Sequence, residues 1–383
     1  MALHFSQDEL RQRQQATVKA MTAAGLDGLL IFRQESMYYL TGYDTFGYVF
    51  FQCLYLGADG KLTLLTRAPD LLQAKHTSVI SDIRIWVDGP EVKPAEQLRA
   101  ILAEHGCKGK RLGVEWESYG LTARNGQRLQ AALDGFCTLA DASELVSRLR
   151  VIKSPAELAY VRRAAELCDA ALDEAWKLAR PHADEGEILA AMQGAVFRGG
   201  GDDPANEYII GSGPDALLCR YKSGRRKLDA NDQLTLEFAG AYRHYHSCLM
   251  RTLAIGQVDP RLKEMHKAAA DALHAAEDAL KPGRPIGEAF DAHARSLDAA
   301  GHRAHRLNAC GYSLGTTFAP NWMDWPMLYH GNAVEAAPGM VFFLHMIVFD
   351  AEHGLAMTLG RTSEVTASGA RVLSRASLDF AIA

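Results

Sequence analysis

The 383-residue sequence lacks a hydrophobic segment that could cross a lipid bilayer. A spanning helix needs roughly 18–20 consecutive apolar residues, and no run in this chain approaches that length. The first residues, MALHFSQDELRQRQQ, carry charges where a secretory signal would carry an apolar core. The formal net charge of −5 provides no positive field for nucleic acid or anionic lipid. We therefore expect neither a membrane nor a nucleic acid as a partner.

The sequence also lacks a disulfide framework. Seven cysteines are an odd number, and their spacing does not match a small disulfide-stapled domain. Free thiols in a chain of this size are typical of a reducing compartment, so we expect a cytoplasmic protein. Low-complexity tracts and short tandem repeats are absent too. Because single cores stop growing at roughly 250–300 residues, two domains are expected.

The first 148 residues alternate between helical and strand patterns. A helix is predicted from about Ser6 to Ala24, followed by four apolar runs that are typical of strands, LLIF, VFFQCLYLG, KLTLLTR and IRIWVDG. A helix from Pro94 to His105 and a strand from Arg111 to Glu115 come next. Alternation of this kind predicts an α/β layer. We assign residues 1–148 to this smaller domain.

Residues 149–383 begin with a strong helix start at Ser154-Pro155-Ala156-Glu157. Ser154 can cap the helix, Pro155 suits its first turn, and Glu157 completes a capping box. The pattern predicts helices over 156–179, 184–198, 259–281 and 285–300, with strands over 205–256 and a strand-rich remainder. Helices packed over one antiparallel sheet make this second domain an α+β layer.

Residues 231–252, NDQLTLEFAGAYRHYHSCLMRT, form the most informative stretch. Leu234, Leu236 and Phe238 alternate with the residues between them, which predicts a strand with one buried face. Gly240 allows a bend, after which a second strand is expected to run to Thr252.

This stretch resembles the central strand pair of the pita-bread family, which includes methionine aminopeptidase, Xaa-Pro peptidases and creatinase. The junction Leu149–Glu157 and the strand that begins Pro338-Gly339-Met340 are similar to that family as well. The resemblance implies a creatinase-type N-terminal α/β domain followed by a pita-bread domain, in which helices cover a curved antiparallel sheet. It also implies a homodimer in which the N-terminal domain of one copy lies near the site of its partner.

The peptidases of this family hold two metal ions with five side chains, and all five positions differ here. The resemblance places Glu237, Cys248, Tyr312, His345 and Gly360 at them. A tyrosine is a poor ligand for hard divalent ions at neutral pH, and a glycine offers no side-chain ligand. We therefore expect no metal cofactor, although Glu237, Cys248 and His345 are residue types that could hold a single zinc ion.

Among the metal-free members, the chain looks more like ectoine hydrolase than creatinase. The similar segments include Leu236–Ala239, Arg243–His246, Trp322–Asp324 and Pro338–Met346. This resemblance implies hydrolysis of a C–N bond in a small zwitterion, such as a cyclic amidine or a guanidino or amidino acid. It implies Glu237 as the nucleophile, with His345 or Tyr312 moving protons.

Further residues complete the predicted site. Cys248 is the alternative nucleophile, and the candidates for binding the substrate are Arg220, Tyr245, His246, Arg251, Asp324, His330, Phe343 and Asp44. Two other interpretations stay open at this point. One is an Xaa-Pro-type metallopeptidase with unusual ligands, and the other is a binding protein that uses the pocket without catalysis.

Overall fold

A computed structural model of the chain describes residues 3–218, 220, 225–380 and 382–383. The chain divides into two compact units, Met1–Arg150 and Val151–Ala383. No helix in these described ranges combines the length and the hydropathy that a bilayer-spanning helix requires.

The N-terminal unit is a six-stranded sheet with helices. The helices are α1 (Gln7–Ala23), α2 (Gln34–Thr41), α3 (Leu71–Thr77), α4 (Pro94–Glu104), α5 (Ala123–Leu133) and α6 (Leu145–Arg150). The strands are β1 (Gly28–Ile31), β2 (Cys53–Gly57), β3 (Leu62–Arg67), β4 (Asp82–Trp86), β5 (Arg111–Val114) and β6 (Thr138–Asp141). Their order is β4-β3-β2-β1-β5-β6, with β2 antiparallel to both of its neighbours.

The central strand β1 is buried on both of its faces. Leu29 and Ile31 belong to one hydrophobic cluster, whereas Leu30 belongs to a second cluster on the other face. A strand that is covered on both faces carries a continuous apolar run instead of an alternating one. That explains why LLIF is apolar throughout.

The C-terminal unit is one antiparallel sheet with four long helices. The helices are α7 (Pro155–Leu178), α8 (Glu185–Arg198), α9 (Pro260–Ala279) and α10 (Gly287–Ala299). The strands are β7 (Ile209–Ser212), β8 (Asp232–Tyr242), β9 (Tyr245–Ile255), β10 (Gly311–Ser313), β11 (Asp324–Met327), β12 (Val341–Asp350), β13 (Leu355–Thr366) and β14 (Gly369–Val372). The order is β11-β10-β12-β13-β9-β8-β7, with β14 beside β13. This architecture confirms the predicted α+β fold.

The capping box at the start of α7 is present. Ser154 Oγ accepts from the Glu157 amide at 3.2 Å, and Glu157 Oε2 accepts from the Ser154 amide at 2.9 Å. The second oxygen of Glu157 accepts a hydrogen bond from the Tyr245 hydroxyl at 2.7 Å. The cap therefore also ties α7 to the start of β9.

The hairpin of β8 and β9 turns at a different place from the one predicted. Gly240 pairs with Ser247 inside the ladder, so the predicted bend at Gly240 is wrong. The chain turns at Arg243 and His244, whose φ angles are +51° and +64°. Two successive positive φ angles are typical of a two-residue hairpin turn of type I′.

Gly240 is required by close packing and not by a bend. A Cβ at this position would lie 2.1 Å from the carbonyl oxygen of Ala164 and 2.6 Å from the amide nitrogen of Cys168, both on α7. The absence of a side chain lets the backbone of α7 approach β8 directly.

We expect Gly240→Ala to lower the free energy of unfolding of the C-terminal unit by about 1–3 kcal/mol, because the added methyl group overpacks a rigid backbone contact. Thermal and urea unfolding would measure the loss. The matched control is Gly194→Ala in α8, where the new Cβ would meet only the flexible end of Arg198. This control should be neutral or stabilising by up to about 1 kcal/mol. Equal effects of the two substitutions would contradict the packing argument.

Candidate active site

A hydrogen bond between distant strands defines the candidate site. The Tyr312 hydroxyl on β10 donates to Glu237 Oε1 on β8 at 3.2 Å. Between these strands the sheet order is β10-β12-β13-β9-β8, which is four interstrand steps. In a flat sheet four steps of about 4.8 Å would separate the backbones by about 19 Å. Because the two side chains meet, the sheet must curl, and they lie on its concave face.

Strand register aligns a row of residues across this face. Glu237 pairs with Met250 on β9, Met250 with Gly360 on β13, and Gly360 with His345 on β12. Directly opposite residues on paired strands point to the same face. Register therefore brings Glu237 and His345, two residues predicted to be catalytic, onto one surface.

Glu237 provides the carboxylate group on the concave face of the sheet. Its side chain is partly exposed toward the concave face, although protein atoms surround the carboxyl group on most sides. Burial raises the pKa of Glu237 from 4.5 to about 7, while the hydrogen bond from Tyr312 and the charge of Arg220 oppose that rise. Glu237 is thus a carboxylate in a large fraction of molecules at neutral pH and is poorly hydrated. Both properties favour a nucleophile.

Tyr312 is held in place from two sides. The indole N–H of Trp322 donates to the Tyr312 oxygen at 2.8 Å, and the ring of Phe343 packs edge-on with the ring centroids 5.5 Å apart. Burial, and secondly the charge of Glu237, hold the pKa of Tyr312 well above its usual value. The phenol therefore stays protonated and serves as a hydrogen-bond donor.

His345 is a neutral histidine. It is only 7% exposed, and its Nδ1 atom is buried without a hydrogen-bond partner among the described residues. Burial lowers the pKa of His345 to about 3, assisted by the nearby His293 and Arg220. With its pKa this low the ring is a weak base, so His345 is suited to hydrogen bonding with a substrate or water, and the environment disfavours the predicted proton transfer.

Cys248 lies in the wall and not at the surface of the site. Its thiol is fully buried, and burial raises its pKa well above the usual value, with smaller contributions from Cys168 and Glu237. Because the thiolate is the nucleophilic form, this environment disfavours Cys248 as the attacking group.

The residues at the five ligand positions do not fit a pair of divalent ions. A Cβ at Gly360 would lie 2.7 Å from the carbonyl oxygen of Leu344 and 2.9–3.0 Å from two ring carbons of Phe343. The Phe343 ring thus fills the space that an acidic side chain at Gly360 would need. Within the described part of the chain, no three His, Cys, Asp or Glu side chains form a group that could hold a metal. Glu237, Cys248 and His345, the residue types that could have held a single zinc ion, therefore do not form a metal-binding group.

Two residues predicted to bind the substrate point to the other face of the sheet. Tyr245 and Arg251 occupy odd positions of β9, whereas the site-facing Cys248 and Met250 occupy even ones. The Arg251 guanidinium donates to the backbone carbonyls of Met250 and Gly360 at 2.8 and 2.7 Å. It also donates to the Ser377 carbonyl at 3.4 Å. Burial lowers the pKa of Arg251 to about 10. The predicted role in substrate binding is corrected: Arg251 and Tyr245 hold the fold together.

His246 is also engaged within the protein. It is fully buried, its Nε2 accepts from the Ala205 amide at 2.9 Å, and its Nδ1 lies 3.1 Å from Thr317 Oγ1. With both ring nitrogens occupied within the protein, His246 has no ring nitrogen left for a substrate, so its geometry does not support the predicted role in binding.

The other predicted binding residues lie in different settings. Phe343 is fully buried against Tyr312 and His345 and forms part of the wall. Asp324 is partly exposed on β11, opposite Ser313 of β10. Arg220 is exposed, and its charge acts on Glu237 and His345.

His330 and Asp44 lie elsewhere. The His330 side chain is 82% exposed, and its Nδ1 meets Asp291 Oδ1 of α10 at 2.8 Å, so His330 lies at the surface. Asp44 belongs to the N-terminal unit, where its amide donates to Thr77 Oγ1 at 3.1 Å. Its predicted role depends on a partner copy and stays a prediction.

The sequence placed Trp322 in a segment similar to ectoine hydrolase, but it gave no sign of the contact with Tyr312. Trp322 follows the short strand β10 in a loop without a periodic pattern, and its side chain is 1% exposed. The spacing of ten residues between Tyr312 and Trp322 does not reveal the hydrogen bond between them.

Comparisons with known proteins agree with this fold. Residues 159–371 match the model of metallopeptidase family M24, and residues 13–152 match the creatinase/prolidase N-terminal domain. An uncharacterized hydrolase/peptidase of Sinorhizobium fredii is 28% identical over 379 residues, which cover 96% of this chain and 95% of that protein. The ectoine hydrolase of Halomonas elongata is 25% identical over 98% of this chain and 97% of its own length. The prolidase from Thermococcus sibiricus superimposes with a TM-score of 0.89 over 99% of this chain and 100% of its own, at 19% identity, which shows the shared fold.

The raised pKa of Glu237 predicts a pH-dependent effect on stability. Between about pH 4.5 and pH 7 the folded protein binds a proton at Glu237 more tightly than the unfolded chain does. The contribution of Glu237 to stability is therefore greatest below that window and falls as the pH rises through it. We expect the melting temperature of Glu237→Gln to exceed that of the wild type by a margin that grows from pH 5 to pH 8. Differential scanning calorimetry would measure it. A margin for Glu237→Gln that stays constant from pH 5 to pH 8 would contradict the assigned shift.

Proposed function

The chain belongs to metallopeptidase family M24, and from that premise we propose that it is a metal-independent hydrolase of a C–N bond in a small zwitterionic compound. The proposed substrate class is an ectoine-like cyclic amidine or a related guanidino or amidino acid. The observation that carries the proposal is the carboxylate of Glu237, which stands where the resemblance expects a metal ligand. It is bound instead by the Tyr312 hydroxyl, in a site whose wall includes the Phe343 ring.

The proposed reaction uses Glu237 as a nucleophile. One carboxylate oxygen adds to the electrophilic carbon of the protonated amidine, and the C=N electron pair moves onto nitrogen. The C–N bond to the other nitrogen then breaks, and that nitrogen leaves as an amine after taking up a proton. Water hydrolyses the remaining ester-like bond to Glu237, which releases the amide and restores the carboxyl group. The net reaction consumes one water molecule.

The surrounding residues suit these steps. Tyr312 binds Oε1 and so leaves Oε2 of Glu237 to attack. His345 is neutral and can orient the attacking water by accepting a hydrogen bond from it. Arg220 supplies a positive charge beside Glu237 and His345, and a guanidinium binds a substrate carboxylate in a bidentate manner. The similarity to ectoine hydrolase adds support for this substrate class.

We expect Glu237→Gln to retain substrate binding and to lose about 10⁴-fold or more in kcat, because a nucleophile is removed from an otherwise intact pocket. Calorimetric titration and steady-state kinetics with a panel of cyclic amidines and guanidino acids would separate the two effects. Intact-mass analysis of quenched wild-type enzyme should show an adduct that peptide mapping assigns to Glu237.

Glu187→Gln makes the same chemical change at an exposed position and should leave the kinetics unchanged. A loss of only about tenfold in Glu237→Gln, which corresponds to ~1.4 kcal/mol, would make Glu237 a hydrogen-bond acceptor and not the nucleophile. An adduct on Cys248 would reassign the nucleophile to the thiol.

We expect the purified enzyme to contain no stoichiometric transition metal and to keep its activity in EDTA, because Tyr312 and Gly360 are unsuited to bind divalent ions. Elemental analysis and chelation followed by assay would test this. One or two Zn, Mn or Fe per chain, with activity on Xaa-Pro peptides that chelation abolishes, would favour a metallopeptidase.

A further inference from the structure

A series of hydrogen bonds runs from the buried His246 toward Glu237. The Ala205 amide can only donate, so Nε2 of His246 is an acceptor and carries no proton. Burial lowers the pKa of His246 to about 3, which leaves the ring neutral with its single proton on Nδ1. That proton is donated to Thr317 Oγ1 at 3.1 Å. The Thr317 hydroxyl in turn donates a longer bond of 3.4 Å to the Trp322 carbonyl.

The remaining two hydrogen bonds, from Trp322 to Tyr312 and from Tyr312 to Glu237, can each have only one donor. An indole nitrogen donates and never accepts, so the Tyr312 oxygen must accept from Trp322 Nε1 at 2.8 Å. With that lone pair occupied, the one hydroxyl proton of Tyr312 is directed to Glu237 Oε1 at 3.2 Å. Trp322 is 1% exposed and Tyr312 is 3% exposed, so water has little access to compete for these groups.

We propose that Trp322 is a positioning residue, which fixes the direction of the Tyr312 hydroxyl proton and thereby sets the protonation equilibrium of Glu237. His246 and Thr317 hold the loop that carries Trp322. The backbone of the same loop is pinned to β9, because the His246 amide donates to the Gly315 carbonyl at 3.3 Å. The consequence for the rate rests on the proposed role of Glu237 as nucleophile, whereas the consequence for its protonation does not.

Hydrogen bonding determines that Trp322 lowers the pKa of Glu237. A donor to the charged form of a carboxyl group lowers its pKa, and donation by Trp322 polarises the Tyr312 hydroxyl so that it donates more strongly. Among the residues that the structure describes, the other groups that face Glu237 are Arg220, which carries a positive charge, together with Cys248 and His345. The Cys248 thiol and the Tyr312 phenol stay protonated, and the His345 ring stays neutral. Among these groups, Glu237 alone changes its charge between pH 5 and pH 9.

Nitrogen-15 NMR of the indole groups tests the proposal without any substrate. The chain has five tryptophans, and Trp322→Phe identifies one indole signal by its disappearance. We expect that signal in the wild type to shift with pH around a midpoint near that of Glu237. The shift should vanish in Glu237→Gln and in Tyr312→Phe. A signal that stays flat from pH 5 to pH 9 would overturn the proposal, as would a titration that persists in Tyr312→Phe.

The kinetic test separates positioning from simple packing. In Trp322→Phe the acidic limb of the kcat/KM profile should move to higher pH by about 0.5–1 unit, since a donor to the charged carboxyl group is weakened. Trp325→Phe is the matched control and should leave that limb unchanged. A lowered melting temperature with an unmoved limb would make Trp322 a packing residue. If the indole titration is present but no C–N hydrolysis occurs with any substrate, the positioning role stands and the proposed function fails.

Discussion

The hydrogen bond between Tyr312 and Glu237 is the constraint on which the site depends. It joins β10 to β8 across three intervening strands, so it can form only if the sheet curls. On the other face of the sheet, α7 packs its backbone against Gly240 at a distance that no side chain would allow.

Glycine has a second structural function on the concave side. Gly360 faces the site between His345 and Met250, and the ring of Phe343 lies over it. The ring removes the space that a carboxylate ligand at this position would need, which disfavours a metal centre.

Burial also sets the charges of the other polar groups. His345 and His246 are neutral and Tyr312 is protonated, so the charge beside them comes from the carboxylate of Glu237 and the guanidinium of Arg220.

Much of the fold follows from local patterns in the sequence. The capping box at Ser154 and Glu157 determines where α7 begins, because its partners are three residues apart. The pattern along residues 231–252 predicts two strands, and the replacements at Glu237, Tyr312 and Gly360 indicate an altered centre. The sequence could not show that Tyr245 and Arg251 face the helices, because register and face depend on partner strands far along the chain. It could not show that Trp322 directs the proton of Tyr312, or that Phe343 fills the space beside Gly360. These contacts join residues that no sequence period links, and only the curled sheet brings them within hydrogen-bonding or packing distance.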